Sequence, residues 1–116
     1  MRYLSIYHPE AHEEGATPTP EHMAAMGRLI EEWTAKGKLI STEPLTPRAQ
    51  CARVRLGPDG QFTVADETVR AGGFAFLNAA SKEEAVELCK RFLEVAGAGT
   101  CEIRQILEFA PQPVPA

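Results

Sequence analysis

The sequence predicts an α+β fold, an antiparallel sheet with two helices packed on one of its faces. Three observations predict it. Two stretches repeat apolar residues at helical spacing, each opened by a capping signal. Six shorter stretches have the length and the alternation or apolar density of strands. One pair of these is joined by an Asp-Gly turn, a strong short-range hairpin signal. At 116 residues the chain has room for one domain, enough to bury a core without disulfide or metal staples.

In "RYLSIY" (2–7), Leu4 and Ile6 alternate with Tyr3, Ser5 and Tyr7, so the first strand has two usable faces. "HPEAHEEGATPT" is polar and turn-rich, a loop. Thr19 and Pro20 open a helix: a capping hydroxyl, then proline at the first helical position, where its missing N–H costs nothing. Met23, Met26, Leu29, Ile30 and Trp33 carry the helical period to about Lys36, and Gly37 stops it. "KLISTE" (38–43) is a short second strand and "PLTPRA" a loop. "QCARVRL" (50–56) and "QFTVA" (61–65) flank the turn "GPDG" and form a hairpin, closed by Asp66. "GGFAFLNA" (72–79) is the most apolar strand, Phe74 and Phe76 on one face and Ala75 and Leu77 on the other, and belongs at the centre of the sheet. Ser81 and Glu84 have capping-box spacing, and the helix they open runs to about Ala96 on a stripe of Ala85, Leu88, Cys89, Phe92, Leu93 and Ala96. "CEIRQILEF" (101–109) alternates as a last strand, and 110–116 form a proline-rich tail.

Without the hairpin the order is βαββαβ, the ferredoxin-like arrangement. The domain is therefore 1–109, ferredoxin-like, with an inserted hairpin and with both helices on one face. The other face is expected to carry Tyr3, Ser5, Tyr7, Arg104 and Ile106. A face of that mixed character is usually covered by a second copy of itself, so a homodimer through the sheet is expected, with a cleft near the dyad.

Composition excludes several classes. Net charge is −4, from 12 basic and 16 acidic residues, and no basic stripe with interleaved aromatics is present, so nucleic acid is not an expected partner. No apolar run approaches the length of a membrane span, and "MRYLSIYHPE" lacks the apolar region of a signal peptide. A cytoplasmic location is expected. Cys51, Cys89 and Cys101 are odd in number and form no CxxC pair. They read as small buried hydrophobes in a reducing compartment, with no cationic neighbour placed to make a thiolate.

Few residues are left as candidates for chemistry. His22 shares a helix face with Met26, Leu29 and Trp33. A helix start favours the neutral imidazole that a base requires, although a histidine there can equally cap the core. Asp66 and Glu67, at a strand end, can orient a histidine or simply cap a turn. His8 and His12 are four apart, but Pro9 and "GATPTP" oppose the helix that would pair them, so no metal is expected there. Arg53 and Arg55 share a strand face, and Arg104 in the sheet cleft can hold a carboxylate, with Ser5 and Tyr7 lining the same cleft. There is no Ser-His-Asp arrangement, P-loop or G-x-G-x-x-G.

The ordered set "PEHMAAMGRLIEEWTAKGKLISTEPL", "ARVRLGPDGQFTVAD", "GGFAFLNAASKEEAVELCKRF" and "EIRQILEF" resembles the YCII-related family, and within it the DGPF-domain branch, over residues 1 to about 109. The resemblance implies a ferredoxin-like fold and dimers whose sheets pack face to face, akin to the dimeric α/β-barrel proteins. It also implies a His–Asp pair as active site. The helix-start histidine of the pattern matches His22, within Pro20-Glu21-His22, and the aspartate that opens the branch motif matches Asp66, in "TVAD". Where the branch continues Gly-Pro-Phe-Ala-Glu this chain has Glu67-Thr68-Val69-Arg70, and the segment before "AGGF" is shortened.

Two functions follow as expectations. One is a cofactor-free enzyme doing acid–base chemistry on a small polar or anionic molecule, with His22 as base, Asp66 as its orienter and Ser5, Tyr7 and Arg104 as binding groups. The other is a non-catalytic dimeric module that binds a small ligand or a protein. The first requires His22 and Asp66 to meet in an open cleft.

Overall fold

β1 (Arg2–Pro9) is the strand on which the rest of the sheet is hung. In the computed structural model, which describes residues 1–10, 19–46, 51–65 and 71–108, it pairs antiparallel on both sides. The order along the chain is β1, α1 (Pro20–Ala35), β2 (Leu39–Pro44), β3 (Arg53–Leu56), β4 (Phe62–Ala65), β5 (Gly73–Asn78), α2 (Lys82–Ala96) and β6 (Gly99–Gln105). The main sheet runs β2-β5-β1-β6, all antiparallel, and β3 and β4 form a separate two-stranded sheet. This is the expected ferredoxin-like βαββαβ fold with an inserted hairpin, and β5 is central as its apolar sequence requires.

Each helix is cut to length by its caps. The Thr19 hydroxyl accepts the His22 N–H at 3.1 Å and Pro20 takes the first turn. At the other end Gly37 adopts φ +70°, which releases the chain into β2. The Ser81 hydroxyl accepts the Glu84 N–H at 3.1 Å, and Gly97 at φ +106° ends α2. The capping box is only half realised. The Glu84 carboxylate goes to Lys38 instead, which ties the start of α2 to the α1–β2 connection and holds the carboxyl below its usual range.

Both helices lie on one face. Tyr3, Leu39 and Leu77 from the sheet meet Leu29 and Trp33 of α1 and Ala85 and Cys89 of α2 in one buried cluster. Strand pairing then assigns every sheet residue a face. Tyr3, Ser5 and Tyr7 stand opposite Leu77, Ala75 and Gly73 on one side and Gln105, Ile103 and Cys101 on the other, all turned toward the helices. Leu4 and Ile6 stand opposite Phe76 and Phe74, and opposite Arg104 and Glu102, on the uncovered face. The expectation that Tyr3, Ser5 and Tyr7 share the open face with Arg104 is therefore corrected. The open face is more apolar than expected, with Leu4, Ile6, Phe74 and Phe76 at its centre and the two phenyl rings edge to face with centroids 5.7 Å apart.

The inward set is stable because its polar atoms find partners. Tyr7 donates its hydroxyl to the Ala98 carbonyl at 3.3 Å and packs edge-on against Phe92 at 5.3 Å. The Ser5 hydroxyl lies 3.4 Å from the Cys89 sulfur. Among the described residues no helix is long and apolar enough to cross a membrane. The tail 110–116, the loop holding His12, and the segment holding Asp66 and Glu67 lie outside the described residues.

Candidate functional site

α1 fixes which end of the fold can hold a site. Its last turn is tied to β2 through Lys38 N–H to the Trp33 carbonyl at 2.8 Å, beside the Asn78 end of β5. Sixteen helical residues span about 24 Å, so the helix begins at the opposite end, where β1 finishes and β5 starts. There His22 stands half-buried on the first turn. Its backbone N–H is used by Thr19, and its imidazole has no hydrogen bond or ion pair among the described residues. Gly72 is fixed to the sheet at this end, because its N–H bonds the Tyr7 carbonyl at 2.7 Å and the Leu45 N–H bonds its carbonyl at 3.0 Å.

The predicted site residues are thus divided. His22 and Tyr7 belong to one end of the helix-covered side, where Gly72 also stands, and Asp66 lies outside the described residues. Ser5 lies deeper on that side and is 6% exposed, its hydroxyl committed to Cys89. Arg104 is on the other side of the sheet, opposite Leu4. One cleft does not collect Ser5, Tyr7 and Arg104 in a single subunit. Arg53 and Arg55 are on the hairpin, away from all of these. His8 faces Glu102 at 3.7 Å across β1 and β6. Among the described residues no three His, Cys, Asp or Glu side chains gather as a metal-holding group.

A groove on the outside of the helix pair is lined by Glu32, Lys36, Lys38, Glu84, Lys90 and Arg91 among others. Its charges neutralise one another: Glu32 bonds Lys36 at 3.1 Å and Arg91 at 2.9 Å, and Lys90 bonds Glu87 at 3.0 Å. It is a solvated ion-pair surface.

A third feature has no signal in the sequence: Ser5 and Cys89, both buried, meet the partly buried Cys101 between β1, α2 and β6. The hydrogen bond from Cys101 draws the Cys89 thiol down to about 7, against the opposing effect of burial and with help from Ser5. Cys101 is pushed up by the same contact, by burial and by the neighbouring thiolate. Cysteine spacing along the chain cannot reveal this pair, because α2 and β6 bring the two thiols together only in three dimensions. The ultraviolet absorbance of thiolate should therefore show one thiol titrating near 7. Cys101→Ala, which removes the donor, should return that step toward the ordinary thiol range at about 8.5. A wild-type protein with no ionisation below the ordinary range would contradict the arrangement.

The pattern of the YCII-related domain matches residues 1–110. No curated protein sequence matches the chain. Among solved structures, the chain is similar to the 5-chloro-2-hydroxyhydroquinone dehydrochlorinase TftG from Burkholderia phenoliruptrix AC1100, in complex with 2,5-dihydroxybenzoquinone. The TM-score is 0.56 at 16% identity, over 94% of this chain and 96% of that one. At that identity the likeness is one of fold.

Proposed function

The chain belongs to the YCII-related family, and from that premise we propose that it is a dimeric, cofactor-free enzyme that moves protons on a small, oxygen-rich, anionic molecule at the end of the sheet where α1 begins. His22 is the base. Asp66 holds the second ring nitrogen, so that the imidazole presents an unprotonated nitrogen to the substrate and stores the proton it takes. Tyr7, at the same end, keeps its hydroxyl on the Ala98 carbonyl and serves as a wall of the site. The observation that carries this assignment is the half-buried His22 imidazole, without a partner among the described residues, at the end of the sheet where Gly72, six residues after Asp66 in the sequence, is fixed. The TftG complex supports an oxygenated six-membered ring as the first class to try.

The dimer forms through the open sheet face. Support for it is the apolar centre of Leu4, Ile6, Phe74 and Phe76, which two layers of secondary structure in one chain leave uncovered. A twofold contact of standard size would bury about 800 Å² per subunit, and Arg104 would lie within it.

The test is a thermal-shift titration with 2,5-dihydroxybenzoquinone and small hydroxylated ring acids. A ligand that binds only the folded protein raises the melting temperature as its concentration passes the dissociation constant. The wild type should respond to at least one of them. His22→Ala and Asp66→Asn should respond at least tenfold more weakly, a loss of about 1.4 kcal/mol. A response that survives both substitutions would favour the binding module without chemistry, the outcome that the shortened 66–70 segment favours.

A further inference from the structure

Cys89 and Cys101 are turned toward each other by the packing of α2 on β6. Cys101 stands opposite Tyr7 of β1, and Ile103 opposite Ser5, so this stretch of β6 presents Cys101 to the helices. Cys89 of α2 is 6% exposed, and Cys101 packs against the buried cluster to which Cys89 belongs. The Ser5 hydroxyl lies 3.4 Å from the Cys89 sulfur and also reaches Cys101. Both cysteines are free thiols in hydrogen-bond contact with one another, so their side chains already share the space that a bridge would fill. Cysteines whose side chains point apart cannot be bridged without moving the backbone; these two point together. Residues 90–100 separate them along the chain, and the acid–base chemistry proposed for His22 uses neither.

We propose that Cys89 and Cys101 form a reversible modification site, oxidised by hydrogen peroxide to an intramolecular disulfide. Burial selects the oxidant, because Cys89 is open to a molecule close to water in size and closed to a bulky disulfide such as glutathione disulfide. The reactive form of cysteine is the thiolate, and the donors on Cys101 and Ser5 favour that form at Cys89. The Cys89 thiolate attacks one peroxide oxygen. The O–O bond breaks, hydroxide leaves, and Cys89 becomes a sulfenic acid. The thiolate charge that held the proton on Cys101 is then gone. The Cys101 sulfur attacks the Cys89 sulfur, the S–O bond breaks, and the Cys101 proton joins the departing hydroxide as water. The two sulfurs have then given two electrons to one peroxide. A dithiol reductant reverses the bridge by exchange. The chemistry needs neither His22 nor a dimer.

Peptide mapping of the wild-type chain decides it. Trypsin cuts after Lys90 and Arg91, between the two cysteines, and leaves Cys51 on a third peptide. After treatment with hydrogen peroxide and blocking of the remaining thiols, peptides 83–90 and 92–104 should be found joined, and dithiothreitol should separate them. The bridged chain should melt at a higher temperature than the reduced one, since a cross-link restricts the unfolded chain, and reduction should remove the increment. In Cys101→Ser, which keeps a donor beside Cys89, dimedone should trap a sulfenic acid on Cys89. The mapping result needs no variant, so it stands whether or not Cys101→Ser folds. Glutathione disulfide at the same concentration should form the bridge more slowly than peroxide does. Peptides that stay separate, a bridge to Cys51 instead, or Cys89 carried to the sulfinic acid without a bridge would each overturn the site. Equal rates with the two oxidants would overturn peroxide as its oxidant.

Discussion

Phe76→Glu is expected to convert the protein from a dimer to a monomer, read by light scattering as a fall from twice the chain mass of 12.7 kDa to that mass itself. Phe76 stands on the open face, opposite Leu4 of β1 and Ser41 of β2, and edge to face with Phe74. In a face-to-face dimer its ring would be dry. A carboxylate there would be buried without a partner, at a cost of several kcal/mol, and the twofold places two such charges in one contact. Each 1.4 kcal/mol is about a factor of ten in the dissociation constant. The fold should survive, because the ring faces away from the buried cluster. Tyr7→Glu, by contrast, tests the core, since Tyr7 packs on Phe92 beneath the helices. A Phe76→Glu protein that still scatters as a dimer would place the contact elsewhere.

Leu77→Ala is expected to cost about 3 kcal/mol of stability, within the range of roughly 2–5 for buried leucines. Leu77 is 2% exposed. It pairs with Tyr3 on one side and Leu39 on the other, so three strands and both helices close around it. Truncation leaves a cavity that the paired strands cannot close by moving. In a domain of this size the melting temperature should fall by roughly 10–20 °C, at fixed protein concentration because assembly is coupled to folding. Trp33, the one tryptophan of the chain and 7% exposed, gives the transition its fluorescence signal. A fall under about 1 kcal/mol would mean the core is looser than its burial indicates.

Much of this fold is legible in the sequence because its signals are local. Thr19-Pro20, Ser81, Gly37 and Asp59-Gly60 mark their boundaries through the chemistry of two to four residues, and the structure places caps or turns at each. The face of β1 was not legible. Alternation separates Leu4 and Ile6 from Tyr3, Ser5 and Tyr7 but does not say which set turns inward. Aliphatic residues are the usual choice for a core, but here the hydroxyls find partners inside, Tyr7 at a carbonyl of the α2–β6 connection and Ser5 at Cys89. The aliphatic set is left for the open face. The thiol pair was illegible for the same reason, since contact between α2 and β6 depends on the packing of the whole. His22 was legible as a helix-start histidine. Its company at that end of the sheet follows from the direction of α1, a property of topology.

The place of β1 in the sheet also sets the order of events during synthesis. The first strand made is the one that pairs with both β5 and β6, the last two strands of the main sheet. Its backbone donors and acceptors therefore stay without their partners until nearly all of the described chain has left the ribosome, at about 5–20 residues per second. The alternating Leu4 and Ile6 edge is exposed for that interval, several seconds or more. The helices can form early, but the sheet closes only at the end, through contacts between distant parts of the sequence, which slows folding relative to a helical bundle of equal length.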